Sequence, residues 1–202
     1  MLEYALIPLA FLSGSLPFSV WLGKLLLGLD VRKFGDGNPG AANAFRTGNT
    51  LVGLLALLLD ISKSAVVVGI AYFNLGIRGI PMVLIAVAPI LGHVFSPFLR
   101  FQGGKALAAA LGVWIGLTVW KLSLPAILGA VVGIVLFTPA GWSGMMAMAA
   151  VLAVILIWLP DPLLFAVWCF ETVILAWTHR KDLRQGIHLR PRIKALFSGK
   201  KD

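Results

Sequence analysis

Apolar stretches of membrane-spanning length recur along almost the whole chain, and this recurrence limits its fold more than any single motif does. A helix that crosses a bilayer takes about 20 predominantly apolar residues, with about 17 tolerated. Seven segments are predicted as spans: 2–29, 51–75, 80–98, 106–120, 124–137, 144–159 and 162–177. The fourth and fifth are short and are separated only by Lys121, Leu122 and Ser123, so one long bent helix with a re-entrant piece is the alternative there. Backbone polar groups in lipid must be satisfied within their own segment, which makes each span a helix. The predicted fold is an all-α membrane protein, a bundle of about seven transmembrane helices. It forms a single polytopic domain over residues 1–202, with a short basic tail from about residue 179.

Composition supports this architecture. Hydrophobic residues make up 59% of the chain and charged residues only 12%, where a soluble domain carries roughly a quarter charged residues. A globule of this size exposes too much surface to hide so much apolar area, so lipid must supply the cover. A signal peptide ahead of a soluble domain is excluded, because apolar segments continue to about residue 178.

The net charge of +9 would suggest nucleic acid in a soluble protein. Here the cations sit at segment ends and in the tail, where membrane orientation and anionic headgroups account for them. With the C-terminus in the cytoplasm, seven spans put the N-terminus outside. Arg32, Lys33, Arg46, Arg100, Lys105 and the tail from Arg180 then lie inside, and only Arg78 and Lys121 lie outside. The face that bears these cations is expected toward the cytoplasm. The lone Cys169 excludes a disulfide framework. Three scattered histidines make no metal motif, and no metal or cofactor is expected.

The inner connections carry nearly all the glycine–polar clusters. The first contains Gly35, Asp36, Gly37, Asn38, Pro39, Gly40, Asn43 and Arg46. Glycines let backbone amides approach an anion. A helix beginning near Pro39 would aim its amides at the same place, and Arg46 would add a bidentate contact. Upstream, 13–18 (Ser-Gly-Ser-Leu-Pro-Phe) breaks the first span. Lys24 near the inner end either snorkels or touches substrate. In the second span, Asp60 and Lys63 share a helical face as an internal ion pair, either to lock helices together or to serve the site.

The segment 92–105 is the sharpest: Gly-His-x-Phe-x-x-Phe-x-x-Phe-x-Gly-Gly-Lys. Gly103, Gly104 and Lys105 opening a helix would offer free amides and an ammonium within one turn, which suits an anion. The spacing is not that of a nucleotide-binding Walker loop. Where the last span meets the cytoplasm, His179 is placed to donate to a phosphate or pass a proton, or simply to cap the helix among cations.

Together these strings resemble the bacterial acyl-phosphate:glycerol-3-phosphate acyltransferases (PlsY-type). The likeness spans nearly the whole chain: Gly-Ser-Leu-Pro-Phe at 14–18, Gly-x-Gly-Asn-x-Gly-Ala-x-Asn-x-x-Arg at 35–46, Leu-Asp-x-x-Lys at 59–63, and the long string at 92–105. It implies a seven-helix bundle with a cytoplasmic active site. It also implies acyl transfer from acyl phosphate to the 1-hydroxyl of glycerol 3-phosphate, giving lysophosphatidate for phospholipid synthesis. By this likeness Gly35, Asp36, Gly37, Asn38, Gly40, Asn43 and Arg46 line the pocket, and His93, Gly103, Gly104 and Lys105 cradle phosphate. His179 closes the site, with Ser143 and Asp182 beside it. Lys105, His179 and Arg46 are the catalytic candidates. The partners implied are glycerol 3-phosphate, acyl phosphate, membrane lipid and the soluble enzyme that makes acyl phosphate; nucleic acid is not among them.

The chain departs from the family pattern at several positions. Asp36 stands where Ser is usual and Asp182 where Asn is usual. Only Thr138 and Ser143 remain of a Ser-rich stretch, and the acidic residue usual farther on is absent from 186–190. A carboxylate beside bound phosphate needs a cation, and Lys33 is the expected partner of Asp36. Two alternatives follow: a divergent paralogue with another donor or acceptor, or without activity, and an anion transporter or flippase. A transporter calls for paired midplane breaks, whereas the special residues here gather at one interface. The Gly112-x-x-x-Gly116 and Gly129-x-x-x-Gly133 pairs predict close internal helix packing.

Overall fold

The computed structural model describes residues 2–198, with side chains at 3–194. Contacts divide the chain into two units, Met1–Trp120 and Lys121–Asp202.

In the first unit the opening apolar segment is two helices, α1 (Leu2–Ser15) and α2 (Phe18–Leu27), parted at Leu16 and Pro17. A short α3 (Ala41–Arg46) follows, then α4 (Thr50–Gly69), whose last turn widens into a π turn at Ile70–Asn74. Next come α5 (Gly79–Val94) and α6 (Leu107–Thr118). Helix α5 is the centre of the unit, buried almost continuously from Met82 to Val94. Helix α1 packs along it, and α6 packs along α4. Both contacts run backbone to backbone where a glycine removes the side chain. A Cβ on Gly14 would strike the Pro89 carbonyl, and one on Gly112 would strike the Ile61 carbonyl. Gly116 sits one turn along, against Val68, as the small-residue spacing predicts.

The second unit is built on α7 (Ser123–Leu136), α8 (Gly141–Ile157) and α9 (Pro162–Thr178), followed by α10 (Arg180–Leu183) and α11 (Pro191–Ser198). Gly129 and Gly133 of α7 lie against Met146, Ala147 and Ser143 of α8, so the second glycine pair is also an internal packing face. The two-residue strands β1 (Phe137–Thr138) and β2 (His188–Leu189) pair antiparallel, Phe137 with Leu189 and Thr138 with His188. This ladder ties the start of the tail back to the end of α7, a tertiary link that the composition of the tail does not announce.

The stretches Glu3–Leu27, Thr50–Asn74 and Gly79–Leu99 are each long and apolar enough to cross a membrane. Four shorter apolar helices, Leu107–Thr118, Ser123–Leu136, Gly141–Ile157 and Pro162–Thr178, coincide with the last four predicted segments. Where a single bent helix was the alternative, α6 ends at Thr118 and α7 begins anew at Ser123. Val119 between them adopts φ 59°, which a right-handed helix does not accommodate. Large apolar side chains stand open, among them Leu25 (81% exposed), Ile80 (74%), Trp158 (73%) and Val173 (68%). An apolar surface of this extent is covered by lipid hydrocarbon in a membrane protein.

Candidate active site

The break at Leu16 and Pro17 is where the polar interior of the first unit begins. Ending α1 at Ser15 strips the last carbonyls of their helical donors. Side chains from other helices replace them: the Lys63 ammonium donates to the Leu16 carbonyl at 2.9 Å and the Ser96 hydroxyl to the Ser15 carbonyl at 2.6 Å. Lys63 also donates to Asp60 Oδ1 at 2.7 Å and contacts His93 Nδ1 at 2.9 Å. Ser19 of α2 donates to the second Asp60 oxygen at 3.0 Å. The Asp60–Lys63 pair therefore joins the break after α1 with α2, α4 and α5, beyond the two-helix lock or substrate contact that the sequence offered.

The first glycine-rich loop folds around Asn43, which is fully buried. Its amide donates to the Asn38 carbonyl at 2.9 Å and to Asp36 Oδ1 at 3.1 Å, while its oxygen accepts from Arg46 at 2.9 Å. Gly35 has φ +57°, and a Cβ there would collide with Asn43 and Arg46. The helix after the loop starts at Ala41 with Gly40 as its cap, two residues later than Pro39 suggested, and has only six residues. Its dipole is short, and the groups around the Asp36 carboxylate are side chains together with the Asn38 amide.

The cation partner of Asp36 is Lys105, with its Nζ 3.0 Å from Oδ2, rather than the expected Lys33. Arg46 stands 3.9 Å from the other oxygen. Proximity in sequence favoured Lys33; the fold brings the second loop to the first instead. Partial burial pushes the Asp36 carboxyl up. The hydrogen bonds from Lys105, the Asn38 amide and Asn43, with the charge of Lys105, outweigh it and hold the group below the ordinary carboxylate value. Nearby, Arg32 grips Asp30 with two side-chain bonds and lowers its pKa to about 2.

The Gly-Gly-Lys loop differs from the sequence expectation in its amides. Gly103 donates its N–H to the Val94 carbonyl and Gly104 to the His93 carbonyl, both at 3.0 Å. These amides close the C-terminus of α5 and are not free for an anion. Their glycines serve close approach: a Cβ on Gly104 would collide with His93 Nε2, and one on Gly103 with the His93 carbonyl. Arg100, Phe101 and Ala106 around them take left-handed backbone conformations, a strain that concentrates at functional loops. His93 lines a small cavity together with Pro39 of the first loop and with Ser96, Lys63 and Gly104.

Asp36, Asn38, Asn43, Arg46, His93, Gly104 and Lys105 thus gather in the first unit. Ser143, His179 and Asp182 belong to the second. His179 is buried, with Nδ1 2.9 Å from the Leu175 carbonyl. Ser143 donates to the Ala140 carbonyl at 2.7 Å in the first turn of α8. Asp182 packs its side chain over Gly141. Among the described residues no three His, Cys, Asp or Glu side chains gather to hold a metal ion. Ser19 and Ser96 are polar partners that sequence reasoning missed. Their signal was weak: single serines in apolar runs are common, and only the break at Pro17 hints that carbonyls there need donors.

A profile described as glycerol-3-phosphate acyltransferase matches residues 4–188. The chain belongs to the glycerol-3-phosphate acyltransferase family. A relative of that name from Bacillus cytotoxicus is 34% identical over 203 residues, covering 98% of each chain. Another, from Anaeromyxobacter sp., is 40% identical over 125 residues; the chain spans 61% of its length. The crystal structure of PlsY, an integral membrane glycerol 3-phosphate acyltransferase, superposes in its glycerol 3-phosphate form with a TM-score of 0.79. That match has 26% identity and covers 100% of this chain and 95% of that one. Its lysophosphatidic acid form gives 0.77. This acyltransferase-family chain is therefore an integral membrane protein in which the motifs at 35–46 and 92–105 form one polar cluster.

Proposed function

We propose that the protein transfers a fatty acyl group from acyl phosphate to the 1-hydroxyl of glycerol 3-phosphate, releasing lysophosphatidate and inorganic phosphate. The observation that carries this reading is the meeting of Lys105 and Arg46 on one anionic group, at 3.0 and 3.9 Å from Asp36. Two phosphate-bearing reactants repel one another, and cations held by a rigid frame overcome that repulsion and orient them. Family membership and the glycerol 3-phosphate and lysophosphatidic acid forms of the PlsY neighbour support the same choice of ligands.

The hydroxyl oxygen attacks the acyl carbonyl carbon, the carbonyl–phosphate bond breaks, and phosphate leaves with the bonding electrons. The hydroxyl proton goes to the departing phosphate. Acyl phosphate is already an activated anhydride, so the step calls for no covalent enzyme intermediate and no cofactor. Lys105 and Arg46 hold phosphate oxygens and stabilise the developing oxyanion. Asn38 and His93 add neutral hydrogen bonds, and Asn43 holds Asp36 and Arg46 in place. Gly35, Gly103 and Gly104 admit the close packing that seats Arg46 and His93, with Gly37 and Gly40 shaping the first loop. His179, Ser143 and Asp182 enter through the family likeness.

The reaction belongs on the cytoplasmic face of a bacterial inner membrane, with the N-terminus outside and the tail inside. The cation asymmetry of the loops supports this orientation. A soluble enzyme that makes acyl phosphate would then supply the donor on that side.

Asp36 supports a second reading. Its carboxylate already occupies the groups a phosphate would use, so a relative with this fold could take a less anionic acceptor or be inactive. Purified protein given acyl phosphate and glycerol 3-phosphate separates the two. Phosphate release that tracks lysophosphatidate formation, and drops about a hundredfold or more in Lys105→Met, is the expected result. No release from the parent, with release restored by Asp36→Ser plus Asp182→Asn, overturns the active-enzyme reading.

A further inference from the structure

We infer that the buried Asp60–Lys63 pair is a positioning device that fixes His93 as the Nε2–H tautomer and so presents a neutral donor to a phosphate oxygen in the adjoining cavity. The inference rests on the phosphate-site reading above, but its first part stands on the unliganded protein alone.

An ammonium has three N–H donors and no acceptor. Around Lys63 Nζ stand three acceptors: Asp60 Oδ1 at 2.7 Å, the Leu16 carbonyl at 2.9 Å and His93 Nδ1 at 2.9 Å. Each takes one proton, so His93 Nδ1 must carry its lone pair, and the ring hydrogen of a neutral imidazole then sits on Nε2. The opposite tautomer would need a neutral lysine amine accepting from Nδ1–H. That would leave Asp60 as a lone carboxylate in a membrane-embedded interior, the costly arrangement, since Asp60 and Lys63 have side chains only 2% exposed. Ser19 satisfies the second Asp60 oxygen, so the carboxylate is fully engaged without His93.

The far nitrogen is left for something else. Among the described residues no hydrogen bond reaches His93 Nε2, although the residue is only 7% exposed. Gly104 lies directly against it, and any Cβ there would fill the space. His93 and Gly104, which meet at Nε2, both line the cavity shared with Pro39 and Ser96. An N–H aimed into such a space fits a phosphate oxygen, either of acyl phosphate or of glycerol 3-phosphate. Lys63 also lines this cavity, but its three donors are taken by Asp60, Leu16 and His93, so it acts on the ligand through His93.

The test begins with 15N-labelled, histidine-resolved NMR of the whole protein in detergent micelles. A His93 Nδ1 resonance of the unprotonated type with Nε2 of the protonated type is expected in the parent; the reverse overturns the inference. Kinetics follow with His93→Gln and His93→Asn, which leave the Asp60–Lys63 pair intact. Glutamine places its amide nitrogen where Nε2 sits, and asparagine where Nδ1 sits. The expected result is a rise in KM of about tenfold or more for one phosphate-bearing substrate in His93→Asn and a smaller rise in His93→Gln, with kcat less affected. A rise confined to acyl phosphate assigns the oxygen to the donor, and one confined to glycerol 3-phosphate assigns it to the acceptor. Equal losses in both variants, or no change in either KM, overturn the proposal. Lys63→Gln adds the positioning arm: the NMR signature becomes mixed and the same KM rises. A retained signature overturns the role of Lys63, and should that variant not fold, the parent spectrum and the His93 pair still decide.

Discussion

At the residue scale, the decisive group is Asp36, a carboxylate in the midst of groups that suit a phosphate. Lys105, Arg46, Asn43 and the Asn38 amide all face it, and they hold it ionised. A carboxyl whose folded pKa lies below its unfolded value contributes stability that is present above the unfolded value and lost as pH falls through the folded one. The first loop is therefore expected to loosen on acidification. Protection of the Asn38 amide against hydrogen exchange, corrected for intrinsic rate, should fall as pH drops into and below the ordinary carboxylate range. In Asp36→Asn the loss should already be present at about pH 5 and show little further pH dependence. A parent whose Asn38 amide shows the same protection across that range would contradict the assignment.

At the element scale, α6 rests on α4 because two glycines one turn apart let the backbones approach. The missing Cβ of Gly112 faces the Ile61 carbonyl, and a rigid carbonyl cannot rotate away as a flexible side chain can. Gly112→Ala should thus destabilise by about 1–3 kcal/mol through overpacking, read as a lower Tm in detergent. Gly69 in α4 is the internal control. Its Cβ would meet nothing closer than the Gly116 carbonyl at 3.7 Å, so Gly69→Ala should leave Tm unchanged or raise it. Equal effects in the two variants would mean that helix propensity, and not the packing face, governs this contact. The glycine pairs were legible from spacing alone. Which helix each pair met was not, because spacing marks a face but not its partner.

At the scale of the whole molecule, orientation follows from charge and can be read by chemistry from either side of the membrane. After Cys169→Ala removes the native thiol, Asn74→Cys and Arg192→Cys each introduce one exposed site. A membrane-impermeant thiol reagent applied to intact cells is expected to label position 74 at once, and position 192 only after lysis. The reverse pattern would invert the topology and move the proposed site to the other face. The helical, lipid-exposed character of the chain was fully legible from its apolar segments. The ladder of β1 and β2 was not, since two-residue strands leave no periodic signal.

The sequence by itself determined the membrane-embedded helical class, the break at Pro17 and the segments that supply the polar cluster. Hydropathy, proline geometry and local spacing are properties of neighbours along the chain. Only the tertiary structure decided that Asp36 pairs with Lys105 instead of Lys33 and that the amides of Gly103 and Gly104 close α5 instead of facing an anion. It alone turned the Asp60–Lys63 pair toward His93. Those outcomes depend on which donor meets which acceptor beyond a single helical turn of chain, and in a low-dielectric interior each buried polar group takes whatever partner the fold brings within reach.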